Sequence, residues 1–412
     1  MSQTDHDAEH PDTTAGAESA SAGATLAVQP SHRRRRRVLL VASLVLFMAL
    51  TASAGVFYRY IVRPAPLPEL LLPQVKVNYA PHYLASIYGV NKPVGVAVSQ
   101  DGKRVYVAES EGERLVRAFD RDGKPLWTLA PPNTSAGERA PVYVATDRTG
   151  RVYVTDRLQF AIFVYGADGQ YIDTILAPNL TLSEYIAIKT GDRSNKNTPV
   201  YNVYKNAVRY KPSEGRAQDL PLPDVKPWAP LGIRITPSGS MFLTDVTQDH
   251  HGVREIILGD LLEHKSWLDF SPENTEFGAS GQGDGEFMFP NTAMTDSQGR
   301  VYVADGNNGR IAVWDKNKKF LFNFASGTAD GALNLPHGLF IDQRDRLHVV
   351  DTVGQSARVY DVSDPEPAYL FSFGDEGNGD GLFNYPTDIA LDDSGRLYIA
   401  DRENNRVQVW SY

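Results

Sequence analysis

A short pattern that recurs along most of the chain constrains its fold most strongly. Each copy consists of a small turn, a strand of alternating apolar residues and an acidic residue at the end of the strand. The centres of successive copies lie 47, 89, 60, 46 and 50 residues apart, and repeats of about this length with several short strands are typical of propeller blades. The copies occupy residues 102–109, 150–156, 239–245, 299–305, 345–351 and 395–401.

Each repeat can be divided into four short strands, which predicts four-stranded blades. The first strand begins at a proline, the second is the strand of the recurring pattern, and the third ends in an aromatic residue. The fourth is represented by residues 320–324 and 369–373. The predicted first strands include Pro93–Val98, Pro230–Ile235, Pro336–Ile341 and Pro386–Leu391.

These repeats resemble those of the NHL-repeat family. The segments ADGNNGRIAVWD at residues 304–315 and ADRENNRVQVW at residues 400–410 are similar to the consensus of that family. The resemblance extends over about residues 80–412 and implies an all-β fold, an NHL-type β-propeller. It does not imply a function, because one fold supports many functions.

The two ends of the repeat region predict how the ring closes. The last repeat stops after its third strand, at Tyr412, while residues 82–89 resemble a fourth strand without a preceding three. We expect this N-terminal strand to complete the last blade, which would remove an exposed strand edge.

The number of blades depends on residues 175–228, which lack the recurring pattern. This segment is either an insertion in a six-bladed ring or a degenerate seventh blade, because its length is about that of one blade. Strand-like stretches are predicted within it at residues 184–188, 199–204 and 207–210.

The region before the repeats divides into three parts. Residues 1–32 hold five acidic residues and no Lys or Arg, and this composition predicts a disordered acidic tail. A basic run from Arg33 to Arg37 leads into 21 uncharged residues from Val38 to Tyr58, long enough for a transmembrane helix. Residues 33–58 are therefore the predicted membrane segment, residues 59–74 a Pro-rich linker, and residues 75–412 the propeller.

The distribution of Arg around this span predicts its orientation. Five Arg precede the span and only two follow it closely, so the tail should be cytoplasmic and the propeller extracytoplasmic. The predicted location is the cell membrane, with a single pass through the lipid bilayer. The alternative is secretion after cleavage, because Ala52, Ser53 and Ala54 fit a signal-peptide cleavage site.

Composition excludes several classes of function. The chain has no cysteine, which rules out disulfides, thiol catalysis and Cys-based zinc sites. Residues 75–412 carry 34 Lys and Arg against 44 Asp and Glu, so no nucleic-acid partner is expected. No complete catalytic set is visible, and no catalytic residue, metal or cofactor is predicted.

The acidic residue that ends each second strand is predicted to be structural, because a feature present in every repeat builds the repeat. Its carboxylate can accept hydrogen bonds from backbone N–H groups of the following turn and from an Arg five positions later. Arg310 and Arg406 occupy that position, and Arg114 is the equivalent residue after Glu109.

Differences between the repeats indicate a candidate ligand site at one mouth of the central channel. The two residues after each first-strand proline are apolar or small in the first three repeats and polar in the last three. Asn291, Thr292, His337 and Asp388 could therefore fix a ligand against an apolar wall.

His337 also suggests an enzymatic alternative. The peptidyl-α-hydroxyglycine lyases are propellers similar to these repeats, and they hold a catalytic zinc with histidines in such Pro-His contexts. Only His337 matches here, and one His does not make a three-ligand site. A protein- or ligand-binding scaffold is the favoured function, and a metal-dependent lyase or lactone hydrolase that uses the channel mouth is the alternative.

A basic, tyrosine-rich stretch within residues 175–211 is a second candidate surface on an otherwise acidic domain. Basic and aromatic side chains together suit an anionic partner, either a protein or an envelope polymer. The other interpretation is a solvated, irregular blade face. The predicted contact residues are Tyr201, Tyr204, Lys205, Arg209 and Lys211.

Overall fold

The computed structural model of the protein describes residues 40–41, 43–55, 79–192, 199–212, 214–225, 228–258 and 275–412. The chain divides into two units, Met1–Ile61 and Val62–Tyr412. The residues described in the first unit are helical. No helix in the described ranges is both long and apolar enough to cross a bilayer. The predicted tail at residues 1–32, the basic run and the linker at residues 59–74 lie outside the described residues.

The second unit consists mainly of antiparallel sheets whose strands follow one another in chain order. In the part of the chain that the structure describes, six of these sheets have four or more strands, and the first strand of each begins at a proline. This arrangement confirms the all-β, propeller-like fold and the four strands predicted for each repeat, to which one sheet adds a short fifth strand. The four first strands predicted from the sequence are observed with the same bounds.

In each of the six sheets, every strand pairs with the strand named next to it. Sheet 1 contains Pro93–Val98, Arg104–Glu109, Val116–Asp120 and Pro125–Leu129, and sheet 2 contains Pro141–Thr146, Val152–Asp156, Ala161–Tyr165, Tyr171–Ala177 and Leu180–Thr181. Sheet 3 contains Pro230–Ile235, Ser240–Val246, His251–Ile257 and Thr275–Phe277, and sheet 4 contains Pro290–Thr295, Val301–Asp305, Arg310–Trp314 and Phe320–Phe324. Sheet 5 contains Pro336–Ile341, Arg346–Asp351, Ser356–Asp361 and Ala368–Phe373, and sheet 6 contains Pro386–Leu391, Arg396–Asp401, Arg406–Ser411 and His82–Ile87.

The hydrophobic core lies between neighbouring sheets. Each first strand contacts the first strands of the sheets before and after it, and the first strands of sheets 6 and 1 also meet. Six clusters of buried side chains each combine residues of two adjacent sheets. Burial of each large apolar side chain contributes roughly 1.5–3 kcal/mol, so the recurring aromatic of the second strand anchors these layers. Its copies are Tyr106, Tyr153, Phe242, Tyr302 and Tyr398, all fully buried.

The N-terminal strand closes the ring as predicted. His82–Ile87 pairs antiparallel with Arg406–Ser411, with His82 opposite Ser411 and Ile87 opposite Val407. The edge of the third strand of sheet 6 is thereby covered, and an uncovered edge would be a template for pairing with another chain.

The segment between sheets 2 and 3 corrects one expectation. Residues 184–188, predicted as a strand, lie in the helix Leu182–Thr190. The Thr181 hydroxyl accepts a hydrogen bond from the Glu184 backbone N–H at the helix start, and Gly191, with a φ of 75°, ends the helix. These two caps outweigh the strand preference of the apolar run.

The rest of that segment forms a separate three-stranded sheet. Its strands are Val200–Asn202, Ala207–Tyr210 and Gln218–Leu220, and a 3-10 turn at Val203–Lys205 joins the first two. The first strands of sheets 2 and 3 contact each other directly. The remaining short elements are the 3-10 turns Ala136–Glu138 and Gly306–Asn308, the parallel pair Ala279–Ser280 with Glu286–Phe287, and the parallel pair Asp375–Glu376 with Leu382–Phe383.

The acidic residue at the end of the second strand is structural, as predicted. Asp305 accepts hydrogen bonds from the Met288 backbone N–H at 2.7 Å and from Arg310 Nε at 2.9 Å. Asp401 binds Arg406 Nε in the same way, at 2.7 Å. Each carboxylate therefore ties the end of the second strand to the third strand and to the loop that opens the sheet.

Sheet 1 departs from this pattern. Glu109 accepts from Arg117 Nε at 2.6 Å, whereas Arg114 donates to the Arg139 carbonyl, so the predicted role of Arg114 is wrong. The loop after Glu109 is longer than its equivalents, and Arg114 lies in the turn, with a φ of 49°, rather than in the third strand.

Candidate functional site

The alternating strand directions give the ring two different faces. The first strands begin and the second strands end at one face, which we call the start face. The first strands end at the opposite face, which we call the end face. The four polar residues predicted at a channel mouth follow the first-strand prolines and therefore lie toward the start face.

Two of these residues connect neighbouring sheets. Asn291 is buried, and its Nδ2 donates to the Pro336 carbonyl at 2.9 Å. The buried Thr292 hydroxyl donates to the His337 carbonyl at 2.8 Å and accepts from the Leu339 N–H at 3.0 Å. Their polar groups thus link the first strands of sheets 4 and 5, and their predicted role in ligand binding stays a prediction.

His337 lies against a tyrosine from another sheet. Its Nδ1 is 2.9 Å from the Tyr143 hydroxyl, and the two rings are stacked with centroids 6.4 Å apart. Loss of hydration lowers the pKa of His337 to about 4, so the imidazole is neutral at physiological pH and can accept a hydrogen bond from the tyrosine hydroxyl. Burial raises the pKa of Tyr143 well above its ordinary value. Tyr143 was not predicted from the sequence, because the Val142–Tyr143 pair was counted as apolar.

A buried ion pair crosses the channel beside these rings. Arg234, from the first strand of sheet 3, binds the Asp388 carboxylate of sheet 6 and donates from Nε to the Leu339 carbonyl at 3.1 Å. Asp388 also accepts from the Val96 N–H at 2.9 Å. Burial raises the pKa of Asp388, and Arg234 opposes that rise. Sheets 1, 3, 5 and 6 therefore meet at one charge pair, whose arginine was not predicted from the sequence.

The end face contains a cavity of about 890 Å³ on the channel axis. The ends of the first strands form its walls, and Arg234, 5% exposed, forms part of its floor. This volume lies within the range of small-molecule sites, which combine apolar walls with a few polar groups. The apolar wall includes Val98, Val144, Ile235, Met294, Phe340 and Leu391.

Most acidic groups at the rim of this cavity hold turns. Asp296 accepts hydrogen bonds from the N–H groups of Gln298 and Arg300, both at 2.9 Å. Asp342 and Asp392 bind the turns of sheets 5 and 6 in the same way. These carboxylates are therefore part of the repeat rather than distinctive ligands for a bound molecule.

The predicted partner surface is only partly exposed. Tyr201 is 8% exposed and packs in the core between sheets 1 and 2, so it is not available as an anchor. Lys205 lies 3.3 Å from Glu138, and Arg209 lies 3.8 Å from Asp219. Lys211 is exposed, and Tyr204 lies in the 3-10 turn with its side chain outside the described set. This surface therefore presents exposed basic side chains and little exposed aromatic area.

Within the residues that the structure describes, no group of three or more His, Cys, Asp or Glu side chains is arranged to hold a metal ion. The side chain that His337 contacts is a tyrosine, rather than a second imidazole or a carboxylate. The described residues therefore show no ligand set for the zinc that the Pro-His context suggested.

Several solved structures are similar to this chain. A streptogramin B lyase structure superposes with a TM-score of 0.49 at 11% identity, over 81% of this chain and 99% of that one. A catalytically inactive virginiamycin B lyase from Staphylococcus aureus with quinupristin gives 0.48 at 14% identity, over 80% and 98%. A structural genomics protein of unknown function from Bacteroides thetaiotaomicron gives 0.47 at 15% identity, over 81% and 72%.

A curated protein and a family model each match part of the sequence. The chain is 44% identical over 45 residues to Protein lin-41 of Caenorhabditis elegans, which corresponds to 11% of this chain and 4% of that protein. The meandering sheets and their ring of first strands define the class, a β-propeller-like protein. The NHL repeat model matches residues 383–410, so this part of the β-propeller-like chain matches an NHL repeat.

Proposed function

We propose that the protein is a binding scaffold whose central cavity at the end face holds a small organic ligand with an apolar body. The cavity itself carries this proposal, because apolar ends of all six first strands line it beside polar groups, and the buried Arg234 lies in its lining.

The same proposal includes a ring of six blades. Support comes from the first strands, each of which contacts two neighbours, with those of sheets 2 and 3 in direct contact. In this interpretation residues 175–228 are an insertion on the outside of the ring rather than a seventh blade.

The proposal also includes a membrane anchor from Val38 to Tyr58, with the propeller outside the cytoplasm. The uncharged length of the span and the Arg33–Arg37 run before it support this. Anchoring would hold the scaffold at the cell surface, where a protein or an envelope polymer can meet the basic segment around Arg209. Secretion after cleavage at Ala54 is the alternative.

Because the chain contains no cysteine, single labels can test the cavity. Gln100→Cys places a bimane fluorophore at the cavity rim, and Val353→Cys places one on an exposed start-face loop as the matched control. We expect drug-sized compounds with apolar bodies to change the emission of the first label saturably and not that of the second. Val98→Trp should abolish the change by filling the cavity. A library that affects both labels alike would contradict the proposal.

An enzyme is the second candidate, and the contact between Tyr143 and His337 favours it. A neutral imidazole, a phenol and a guanidinium lie together here, with Arg234 5.9 Å from the tyrosine ring, and such groups can orient and polarise a bound substrate. Metal analysis of the purified full chain separates the two functions. Stoichiometric zinc or calcium that is lost in His337→Ala would favour the lyase or lactone hydrolase over the scaffold.

A further inference from the structure

The start face carries large apolar side chains that point into solvent. Each lies in a loop that either precedes a first strand or follows a second strand. By contrast, the described turns between first and second strands, at the end face, present no exposed large apolar residue. The start-face residues and their exposed fractions are Tyr88 at 61%, Phe160 at 47%, Phe289 at 40%, Val353 at 53% and Tyr385 at 47%.

Three of these side chains are held on strained backbone. Phe160, Phe289 and Tyr385 have φ values of 49°, 55° and 51°, in the left-handed region that bulky residues rarely adopt. Left-handed φ values recur at these two positions in other sheets, at Arg114, Gly309, Gln355 and Asn405 before third strands and at Lys92 before a first strand, so this backbone conformation belongs to the repeat. The exposed aromatic side chains do not recur with it, and exposed apolar patches typically mark interaction surfaces.

Local contacts fix the positions of these side chains. The Tyr385 N–H donates to the Gln355 side-chain oxygen at 2.7 Å, which joins Tyr385 to the loop that carries Val353. The Phe289 ring lies 4.7 Å from the His251 ring. The Phe160 carbonyl accepts from Trp228 Nε1 at 2.9 Å. The aromatic side chains are therefore presented by ordered loops, which lowers the entropic cost of binding a partner.

The charges around this apolar set are strongly one-sided outside the inserted segment 178–229, whose described part carries five exposed basic and three exposed acidic side chains. Apart from that segment, the described start-face loops comprise residues 88–92, 110–115, 130–140, 157–160, 247–250, 278–289, 306–309, 325–335, 352–355, 374–385 and 402–405. Within them one basic side chain, Arg157, is exposed, against eight acidic ones. The exposed acids are Glu111, Glu113, Asp249, Asp284, Asp330, Asp375, Glu376 and Asp380.

We propose that the start face is the docking surface for a basic segment of a partner protein, rich in Lys or Arg and carrying apolar side chains. The acidic rim attracts and orients such a segment. The aromatic rings accept its apolar side chains and also its cations, because a cation is stabilised over an aromatic face. This surface is separate from the end-face cavity, so it is independent of the small-ligand function proposed above.

A designed peptide tests this surface on the full chain in a nonionic detergent. The probe is a fluorescein-labelled peptide of alternating Lys, Leu and Trp, with binding measured by anisotropy and corrected for empty micelles. Phe289→Ser with Tyr385→Ser should weaken binding at least tenfold. Leu126→Ser with Leu321→Ser, on outer strands with similar exposure, is the matched control and should leave binding unchanged. Circular dichroism melts check that each variant remains folded.

Charge reversal tests the acidic rim. Asp375→Lys with Glu376→Lys should also weaken binding at least tenfold, whereas the end-face pair Asp122→Lys with Asp168→Lys should not. A peptide with Glu in place of Lys should fail to bind. Weakening by charge reversal alone, with no effect of the serine variants, would overturn the docking surface. So would self-association of the free chain that disappears in the serine variants, because the occupant would then be a second copy.

Discussion

At the scale of single residues, His348 replaces the aromatic residue that the second strands of the other sheets carry. The imidazole is fully buried, with Nε2 at 2.7 Å from the Tyr412 hydroxyl and Nδ1 at 3.1 Å from the Arg346 carbonyl. Burial lowers the pKa of His348 to about 4 from an ordinary value of 6.5, although Asp342 opposes this. Between these two pH values the unfolded chain binds a proton that the folded chain does not.

We therefore expect the stability contributed by His348 to be complete above pH 6.5 and to fall as the pH decreases toward 4. The lowered pKa corresponds to on the order of 3 kcal/mol. His348→Tyr, which introduces an aromatic residue as in the other repeats, should reduce the pH dependence of the unfolding free energy. The pH dependence due to His337 should remain. Urea unfolding of both proteins between pH 4 and 7 measures the effect. Parallel curves of unfolding free energy against pH would contradict it.

Recurrence decides which residues the sequence could predict. The roles of Asp305 and Asp401 followed from their presence in successive repeats. Arg234 occurs once, and the carboxylate that it binds, Asp388, lies 154 residues away in the chain. No spacing rule relates two side chains that meet across a channel, so the central ion pair required the structure. Asn291 and Thr292 stood out by polarity. Polarity alone does not show that their side-chain donors already bind the backbone carbonyls of the next sheet.

At the scale of elements, the N-terminal strand is the part whose loss should matter most. His82–Ile87 covers the edge of sheet 6, and Ile87 and Val90 are buried in the core between sheets 6 and 1. Deletion of residues 75–90 should lower the Tm by more than 10 °C, because loss of each buried aliphatic costs about 2–5 kcal/mol. The matched control is deletion of residues 1–32. Equal Tm values for the full chain and the 75–90 deletion would show that the ring does not need this strand.

The basic segment offers a second test at this scale. Lys205→Glu, Arg209→Glu and Lys211→Glu together should weaken capture of an anionic partner and leave the Tm unchanged, because exposed charges rarely support a core. Tyr201→Ala should instead lower the Tm, since Tyr201 is buried. Crosslinking in membranes followed by pull-down measures capture. Capture that survives the charge reversal but fails in His337→Ala would show that the partner binds at the channel mouth instead.

Strand bounds were predictable where proline marks the start of a strand, since proline fixes φ and breaks the preceding element. The helix at Leu182–Thr190 was not, because an apolar run of this length fits a strand or a buried helix equally well. The side-chain cap from Thr181 decides between them. Such a cap is a weak signal in sequence.

At the scale of the whole molecule, repeats predict that a ring forms but not what each face does. The polar residues predicted at the mouth lie at the start of the first strands. It carried no sign that the opposite face contains a cavity of about 890 Å³, because the walls consist of apolar strand ends from six different sheets. The separation of exposed aromatics onto the start face is likewise visible only after the strands are assigned directions.

The orientation across the membrane is the last prediction, and it concerns the complete chain. Five Arg from Arg33 to Arg37 precede the uncharged span and two follow it closely, and basic residues stay preferentially on the cytoplasmic side. Protease added to intact cells should therefore digest the propeller and spare an epitope tag placed before residue 33. A propeller that is protected until the cells are lysed would reverse this topology. A mature N-terminus at Gly55 would show that the chain is cleaved and secreted rather than anchored. Mass spectrometry of the same samples identifies both the protected fragment and the mature N-terminus.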